Sequence, residues 1–184
     1  MKSPNSTKFW KTIRKQIVYR DKWHNLRRDI VIKPDGKRGV YSFLDHGDGV
    51  AIAALEKDQI YLVKEWKYPV NQKVLTVICG GIEKGESPLE SAKRELQEEA
   101  GLLAKNWQSL GYFYTSPGTV SEKAFVFLAT ALNKIKATPN PTEHLEIVKI
   151  PFKKSLELVM ESKITDSYAV AAILKTYKYL QESQ

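Results

Sequence analysis

At 184 residues the chain is long enough to bury a substantial core, and it shows no internal repeat or low-complexity segment that would exclude a globular fold. The single Cys79 rules out an intrachain disulfide and suits a reducing, cytoplasmic setting; the basic opening MKSPNSTKFWKTIRKQIV lacks an unbroken apolar run, so neither a signal peptide nor a membrane span is expected. The formal charge of +8 is spread along the chain, with local clusters between residues 8 and 20 and at Arg27-Arg28 but no aromatic-basic repeat, which favours a small anionic substrate such as a nucleotide over nucleic acid.

Taken in order, residues 12–19 read as a strand, residues 20–22 as a turn and residues 29–33 as a second strand. Pro34-Asp35-Gly36 is a turn sequence, and residues 39–43 alternate like a third strand. Three such strands make a small antiparallel sheet that cannot close its own core. Residues 1–44 are therefore expected to form an N-terminal β-sheet, and residues 45–184 the main domain. Trp10 and Trp23 fit core packing, while Trp23 could instead stack on a base.

Residues 45–49 are a turn-rich link, and residues 50–55 and 59–65 are apolar, β-rich runs around Glu56-Lys57-Asp58, a hairpin of the central sheet. Residues 74–79 form the strand that delivers the most informative stretch, residues 80–102, GGIEKGESPLESAKRELQEEAGL. Gly80 and Gly81 allow the backbone to approach a ligand where a Cβ would interfere. Ser87-Pro88-Leu89-Glu90 reads as a helix start, with Ser87 at N-cap and Glu90 closing a capping box, and Gly101 ends the helix. Leu89, Ala92, Leu96 and Ala100 share an apolar stripe, while Glu95, Glu98 and Glu99 share another face within one turn. Carboxylates that close repel one another; Arg94 can reach Glu90 or Glu98 across one turn, and the remaining negative charge suits a hard divalent cation, Mg²⁺ or Mn²⁺.

Beyond this stretch, residues 107–114 form a strand entering the loop Thr115-Ser116-Pro117-Gly118-Thr119-Val120-Ser121-Glu122. A buried-looking strand at 123–132, a polar loop at 133–144 and a final strand at 146–152 follow. A short helix at 154–161 precedes a longer one capped by Asp166, with Ala169, Ala172, Ile173, Thr176, Tyr177 and Leu180 on its apolar side. The expected fold class is α/β: an α/β/α sandwich around a mixed sheet, with the N-terminal antiparallel sheet attached.

Gly80, five residues, Glu86, seven residues, then Arg94-Glu95-Leu96-Gln97-Glu98-Glu99-Ala100-Gly101-Leu102 matches every fixed position of the pattern GX5EX7REUXEEXGU. On those residues the chain resembles the Nudix hydrolases. Pro117, fifteen residues past Leu102 in an SPG loop followed by Glu122, resembles the ADP-ribose and nucleoside diphosphate sugar pyrophosphatase branch. The resemblance implies that Glu95 and Glu99 hold metal, with Glu98 sharing the site, Glu86 as an outer ligand and the backbone carbonyl of Cys79 contributing, while Arg94 orients the carboxylates. It implies a phosphate contact from Lys67, where relatives often carry Arg, and a substrate pocket shaped by Gly80, Gly81, Pro117 and Glu122. In that branch an N-terminal sheet pairs with a second subunit, which implies a homodimer; Trp23 with Arg27 or Arg28 could then contact the base. The general base of such relatives often lies in an acidic Glu-X-Glu loop after the box. Here the first acidic position falls on Pro141, leaving Glu143, or else a box glutamate such as Glu98.

The implied activity is Mg²⁺-dependent cleavage of the pyrophosphate of ADP-ribose or a related nucleoside diphosphate sugar, giving a nucleoside monophosphate and a sugar phosphate. Two alternatives stand beside it: a hydrolase of another nucleotide, such as a dinucleoside polyphosphate or a nucleoside triphosphate, and a non-catalytic nucleotide- or RNA-binding module of the same fold.

Overall fold

The computed structural model describes residues 9–22, 24–138 and 144–182. These form two compact units, one of Met1–Gly47 with Ser116–Glu122, the other of Asp48–Thr115 with Lys123–Gln184.

The first unit is an antiparallel sheet of β1 (Lys11–Arg14), β2 (Ile17–Arg20), β3 (Asn25–Ile32) and β4 (Arg38–Asp45). The strand expected at 12–19 is broken into β1 and β2, both of which pair with β3. The physical cause is visible at the break. The Gln16 N–H leaves the ladder to donate to the Asp29 carboxylate (3.2 Å), while the Gln16 carbonyl accepts from the Arg28 N–H (2.8 Å). β4 runs along the other edge of β3, in register from Asn25 opposite Asp45 to Ile32 opposite Arg38. The inserted segment Ser116–Glu122 is tied to the end of β4: the Leu44 N–H donates to Thr119 and its carbonyl accepts from Ser121. Phe9, Trp10, Ile13, Val18 and Tyr19 remain substantially exposed on this unit.

The second unit is built on a seven-stranded mixed sheet in the order β11-β6-β5-β10-β9, comprising β5 (Gly49–Glu56), β6 (Gln59–Lys67), β9 (Leu102–Tyr114), β10 (Lys123–Lys134) and β11 (Glu146–Pro151), with two further strands pairing with β6 and β5. The β5–β10 pair is parallel, and the others are antiparallel. The strand expected at 74–79 is split as well. β7 (Gln72–Thr76) pairs with β6, the chain crosses at the buried Val77, and β8 (Ile78–Gly81) pairs with β5. One segment thus changes neighbours and delivers Cys79–Gly81 beside the central strand.

Because strand side chains alternate, β5 serves both faces of the sheet. Val50, Ile52 and Ala54 pack with Ala92 and Leu96 of helix α1 (Pro88–Ala100), whereas Ala51, Ala53 and Leu55 pack with Ala169, Ala172 and Ile173 of α3 (Ser167–Glu182). Helix α2 (Phe152–Met160) contributes Leu156 and Val159 to the α3 side. The unit is therefore an α/β/α sandwich around a mixed sheet, as the order of strands and helices led one to expect.

Candidate active site

The helix that carries the acidic face starts where its sequence dictates. The Ser87 hydroxyl accepts from the Glu90 N–H (3.3 Å), and the Glu90 carboxylate accepts from the Ser87 N–H (2.8 Å), a closed capping box. The helix stops at Gly101, whose φ of 60° is the left-handed conformation that favours glycine; a Cβ there would lie 2.8 Å from the Ile135 carbonyl oxygen. Between these ends, burial of Ala92 and Leu96 fixes the rotation of α1, which places Glu95 against Gly80 and leaves Glu98 and Glu99 partly exposed.

Gly80 sits directly against this face. A Cβ at Gly80 would meet the Glu95 carboxyl carbon at 2.2 Å, so the glutamate occupies the space that any other residue would fill. Glu95 is 9% exposed, and its Oε1 accepts from Arg94 Nη1 at 2.7 Å. The same Nη1 reaches Glu98 at 3.1 Å. The rest of the guanidinium points elsewhere. Nε and Nη2 grip both oxygens of Glu86 (2.8 and 3.0 Å), and Nη2 also donates to the Gly81 carbonyl (2.9 Å) and to the Ser91 hydroxyl (3.2 Å). Glu90, which the one-turn spacing also offered to Arg94, is taken by the capping box. The bidentate Arg94 grip holds the Glu86 carboxyl at about 2, far below the usual carboxylate value, and reciprocally raises Arg94 above its already high one.

Glu99 accepts from the Cys79 backbone N–H at 3.2 Å, linking the helix to β8. Among the described residues, no group of three acidic, histidine or cysteine side chains is gathered into a ready metal cage. The donor set nevertheless fits a hard divalent cation. It consists of carboxylate oxygens on one helix face, beside a glycine backbone that leaves room for them, with Arg94 supplying positive charge to two of the three.

The other expected residues fall in different places. Lys67, at the end of β6, pairs with Glu65 at 2.5 Å; burial, the largest single influence, would lower its pKa, but the Glu65 hydrogen bond together with attraction to nearby acidic groups raises it, so it stays a cation. It borders a cavity of about 370 Å³ together with Gln72, Asp166 and Ser167. The Cys79 thiol is pushed well above its ordinary range, first by burial and then by the Glu99 carboxylate, so it stays neutral. Arg27, Arg28, Pro117 and Glu122 belong to the first unit. Arg27 is engaged internally with Asp29 and Asp45 and lies 4.6 Å over the Phe43 ring, whereas Arg28 is exposed. Pro117 lines a cavity of about 430 Å³ with Trp10, Arg27, Tyr41 and Phe43, and Glu122 lies 3.5 Å from His46 Nδ1. Trp23 and Glu143 lie outside the described residues.

One member of the box was missed in the sequence. Ser91 is fully buried, and its hydroxyl donates to the Gly81 carbonyl at 3.0 Å while accepting from Arg94. Its place three residues before Arg94, on the same side of the helix, was the available signal.

Residues 45–166 match the NUDIX domain family, and residues 10–44 match a family described as the nucleoside diphosphate sugar hydrolase N-terminal domain. The chain is 33% identical over 174 residues to the ADP-ribose pyrophosphatase of Bacillus subtilis (strain 168), an alignment covering 93% of this chain and 92% of that protein. It is 29% identical over 176 residues to the methanol dehydrogenase activator of Bacillus methanolicus, covering 94% of each. A solved structure described as an ADP compounds hydrolase superposes with a TM-score of 0.84 at 22% identity, over 95% of this chain and 96% of that one, a likeness of fold.

Proposed function

The chain belongs to the Nudix hydrolase family, and from that premise we propose that it hydrolyses the pyrophosphate bond of ADP-ribose or related nucleoside diphosphate sugars, releasing a nucleoside monophosphate and a sugar phosphate. The observation that carries this reading is the acidic face of α1 held against Gly80, with Glu95, Glu98 and Glu99 all present and Arg94 already compensating two of them. A non-catalytic module of the same fold would have no need to keep all three carboxylates. The match of residues 10–44 to the nucleoside diphosphate sugar hydrolase N-terminal domain and the Ser116-Pro117-Gly118 turn support this substrate class over triphosphates.

Nudix hydrolases generally need a divalent metal, for which Mg²⁺ or Mn²⁺ suits these oxygen donors. Glu95 and Glu99 are the proposed ligands, with Glu98 sharing the site, the Cys79 carbonyl adding an oxygen and Glu86 acting from outside through Arg94. When bound, the cation would neutralise charge on the pyrophosphate and favour ionisation of a water. The chain's own residues do the rest. Arg94 orients Glu95 and Glu98 through Nη1, Lys67 offers a positive charge to a phosphate, and Glu98 or Glu143 accepts the proton of the attacking water. Water adds to phosphorus in line as the bridging P–O bond breaks, so ADP-ribose yields AMP and ribose 5-phosphate, never ADP.

The test is a panel of initial rates at one Mg²⁺ concentration with ADP-ribose, ADP-glucose, GDP-mannose, a diadenosine polyphosphate and triphosphates. Nucleoside diphosphate sugars should exceed ATP and dGTP in kcat/KM by at least about tenfold, a gap of ~1.4 kcal/mol. A triphosphate or the diadenosine compound at the top would overturn the substrate assignment. The exposed apolar residues of the N-terminal unit further support a homodimer formed through that sheet. Sedimentation as a monomer at micromolar concentration would refute it.

A further inference from the structure

The guanidinium of Arg94 is divided in its duties. Nη1 alone faces Glu95 and Glu98, the carboxylates proposed to meet the cation, while Nε and Nη2 are anchored on Glu86, the Gly81 carbonyl and Ser91. The Ser91 hydroxyl closes a triangle. It donates to the Gly81 carbonyl at 3.0 Å, accepts from Nη2 at 3.2 Å, and Nη2 itself donates to the same carbonyl at 2.9 Å. Ser91 is fully buried, so water cannot substitute for it, and its partner Gly81 follows the glycine whose backbone abuts the Glu95 carboxylate.

A cation that takes Glu95 and Glu98 must do so in competition with Nη1, and what keeps the two carboxylates in place during that exchange is the anchored remainder of the guanidinium. We infer that Ser91 is a positioning residue for the metal-binding face: its hydroxyl, bonded to both the Gly81 carbonyl and Nη2, reinforces the direct Nη2–Gly81 bond and, together with the Glu99–Cys79 N–H bond, sets the separation between the α1 glutamates and the Gly80–Gly81 backbone. The Glu86 salt bridge cannot do this alone, because Glu86 sits on the loop before the helix and has no bond of its own to β8 among those described. Ser91 is the only one of the three anchors that touches both Arg94 and the strand through a side chain held by the helix itself. This inference rests on the metal-site reading proposed above.

The experiment measures Mn²⁺ binding directly, by the electron paramagnetic resonance signal of free Mn²⁺, in the full-length wild type, Ser91→Ala and Ser91→Cys, with thermal unfolding in chelator as the check on folding. Alanine removes the hydroxyl, and cysteine keeps the volume while replacing a good hydrogen-bonding group with a poor one. Both variants should stay folded and bind Mn²⁺ at least fivefold (about one kcal/mol) more weakly. At saturating Mg²⁺ the KM for ADP-ribose should hold within about twofold and kcat should fall. Wild-type Mn²⁺ affinity in folded Ser91→Cys would overturn the positioning role. So would a variant whose KM rises while its Mn²⁺ affinity is unchanged. If the wild type itself binds no Mn²⁺, the metal-site reading fails first, and the inference with it.

Discussion

Two arginines, one in each unit, hold carboxylates in ways that look alike on paper and differ in consequence. Arg27 lies in β3, 14% exposed, bonded to Asp29 beside it and to Asp45 at 3.2 Å on the adjoining strand, and stacked on Phe43. Its partners come from its own strand and the adjoining one of a small sheet, and Asp29 is almost completely buried. Arg94 is 24% exposed and draws on a loop residue, a strand carbonyl and its own helix, and one of its carboxylates, Glu98, remains 42% exposed. The first arrangement neutralises a buried charge so that a thin sheet can stand. The second keeps several negative groups together on one helix face, an arrangement that makes sense where positive charge is to be received.

If that contrast is right, the box should fail in turnover before it fails in stability, and the Arg27 cluster the reverse. The largest effect expected is in Glu99→Gln, where a lost carboxylate should lower kcat by roughly 10²–10⁴. The melting temperature of the metal-free variant, read by calorimetry, should barely move. Near-wild-type turnover at saturating Mg²⁺ would remove Glu99 from the ligand set.

Next in size, Arg27→Ala should strand the Asp29 carboxylate without its partner. The cost should be about 3 kcal/mol, the low end of the range for breaking a buried pair, because Asp45 is 40% exposed and partly solvated. Urea unfolding should show the loss, and turnover of the surviving folded fraction in the cold should change far less. A large fall in kcat with unchanged stability would erase the distinction between the two arginines.

A smaller effect separates them by pH. Arg94 holds the Glu86 carboxyl near 2 against an ordinary value of 4.5, so the folded state gains from its ionisation above about pH 4.5 and loses that gain as pH falls through about 2. Glu86→Gln should therefore be less stable than the wild type at pH 6, by about 2 kcal/mol, with the two curves converging as pH approaches 2. Asp29 is also held below its ordinary value: burial, the largest single influence, would raise it, but the Arg27 and Gln16 hydrogen bonds together with the charges of Arg27 and Lys15 outweigh it. The N-terminal unit should lose stability on acidification in the same direction. Smallest of all, Arg28→Ala, whose side chain is exposed beside Arg27, should stay within about 0.5 kcal/mol of the wild type.

The features legible in the sequence were those written in local spacing. Ser87 and Glu90 close their capping box across three residues, Gly101 takes its left-handed turn, and the apolar run of β5 was readable as a strand of the central sheet. What escaped was decided by partners distant in sequence. The break between β1 and β2 follows from Asp29 capturing the Gln16 N–H, thirteen residues away. Arg94 chose Glu86, eight residues back on a loop, because Glu90 was spent on the helix cap. Ser91 looked like filler within the seven variable positions of the box, since a buried hydroxyl is recognisable only once the carbonyl it meets is known. Arg27, expected with Arg28 and Trp23 to contact a base, also bonds Asp29 and Asp45, and the second of these partners lies on the adjoining strand, out of reach of a reading of β3 alone.

The segment Ser116–Glu122 carries one more consequence. The chain leaves the second unit after β9, adds seven residues to the first, and returns to begin β10, so that neither unit corresponds to a continuous piece of the polypeptide. A gene fragment ending at Gly47 would encode β4 without the residues that bond Leu44 on both sides, and a fragment beginning at Asp48 would carry Thr119 and Ser121 with their β4 acceptor and donor gone. Cutting the chain at residue 47 would therefore leave both units incomplete, and any circular permutation that keeps both intact must open the chain elsewhere, the Glu56–Gln59 turn between β5 and β6 being one place where only a short hairpin is cut.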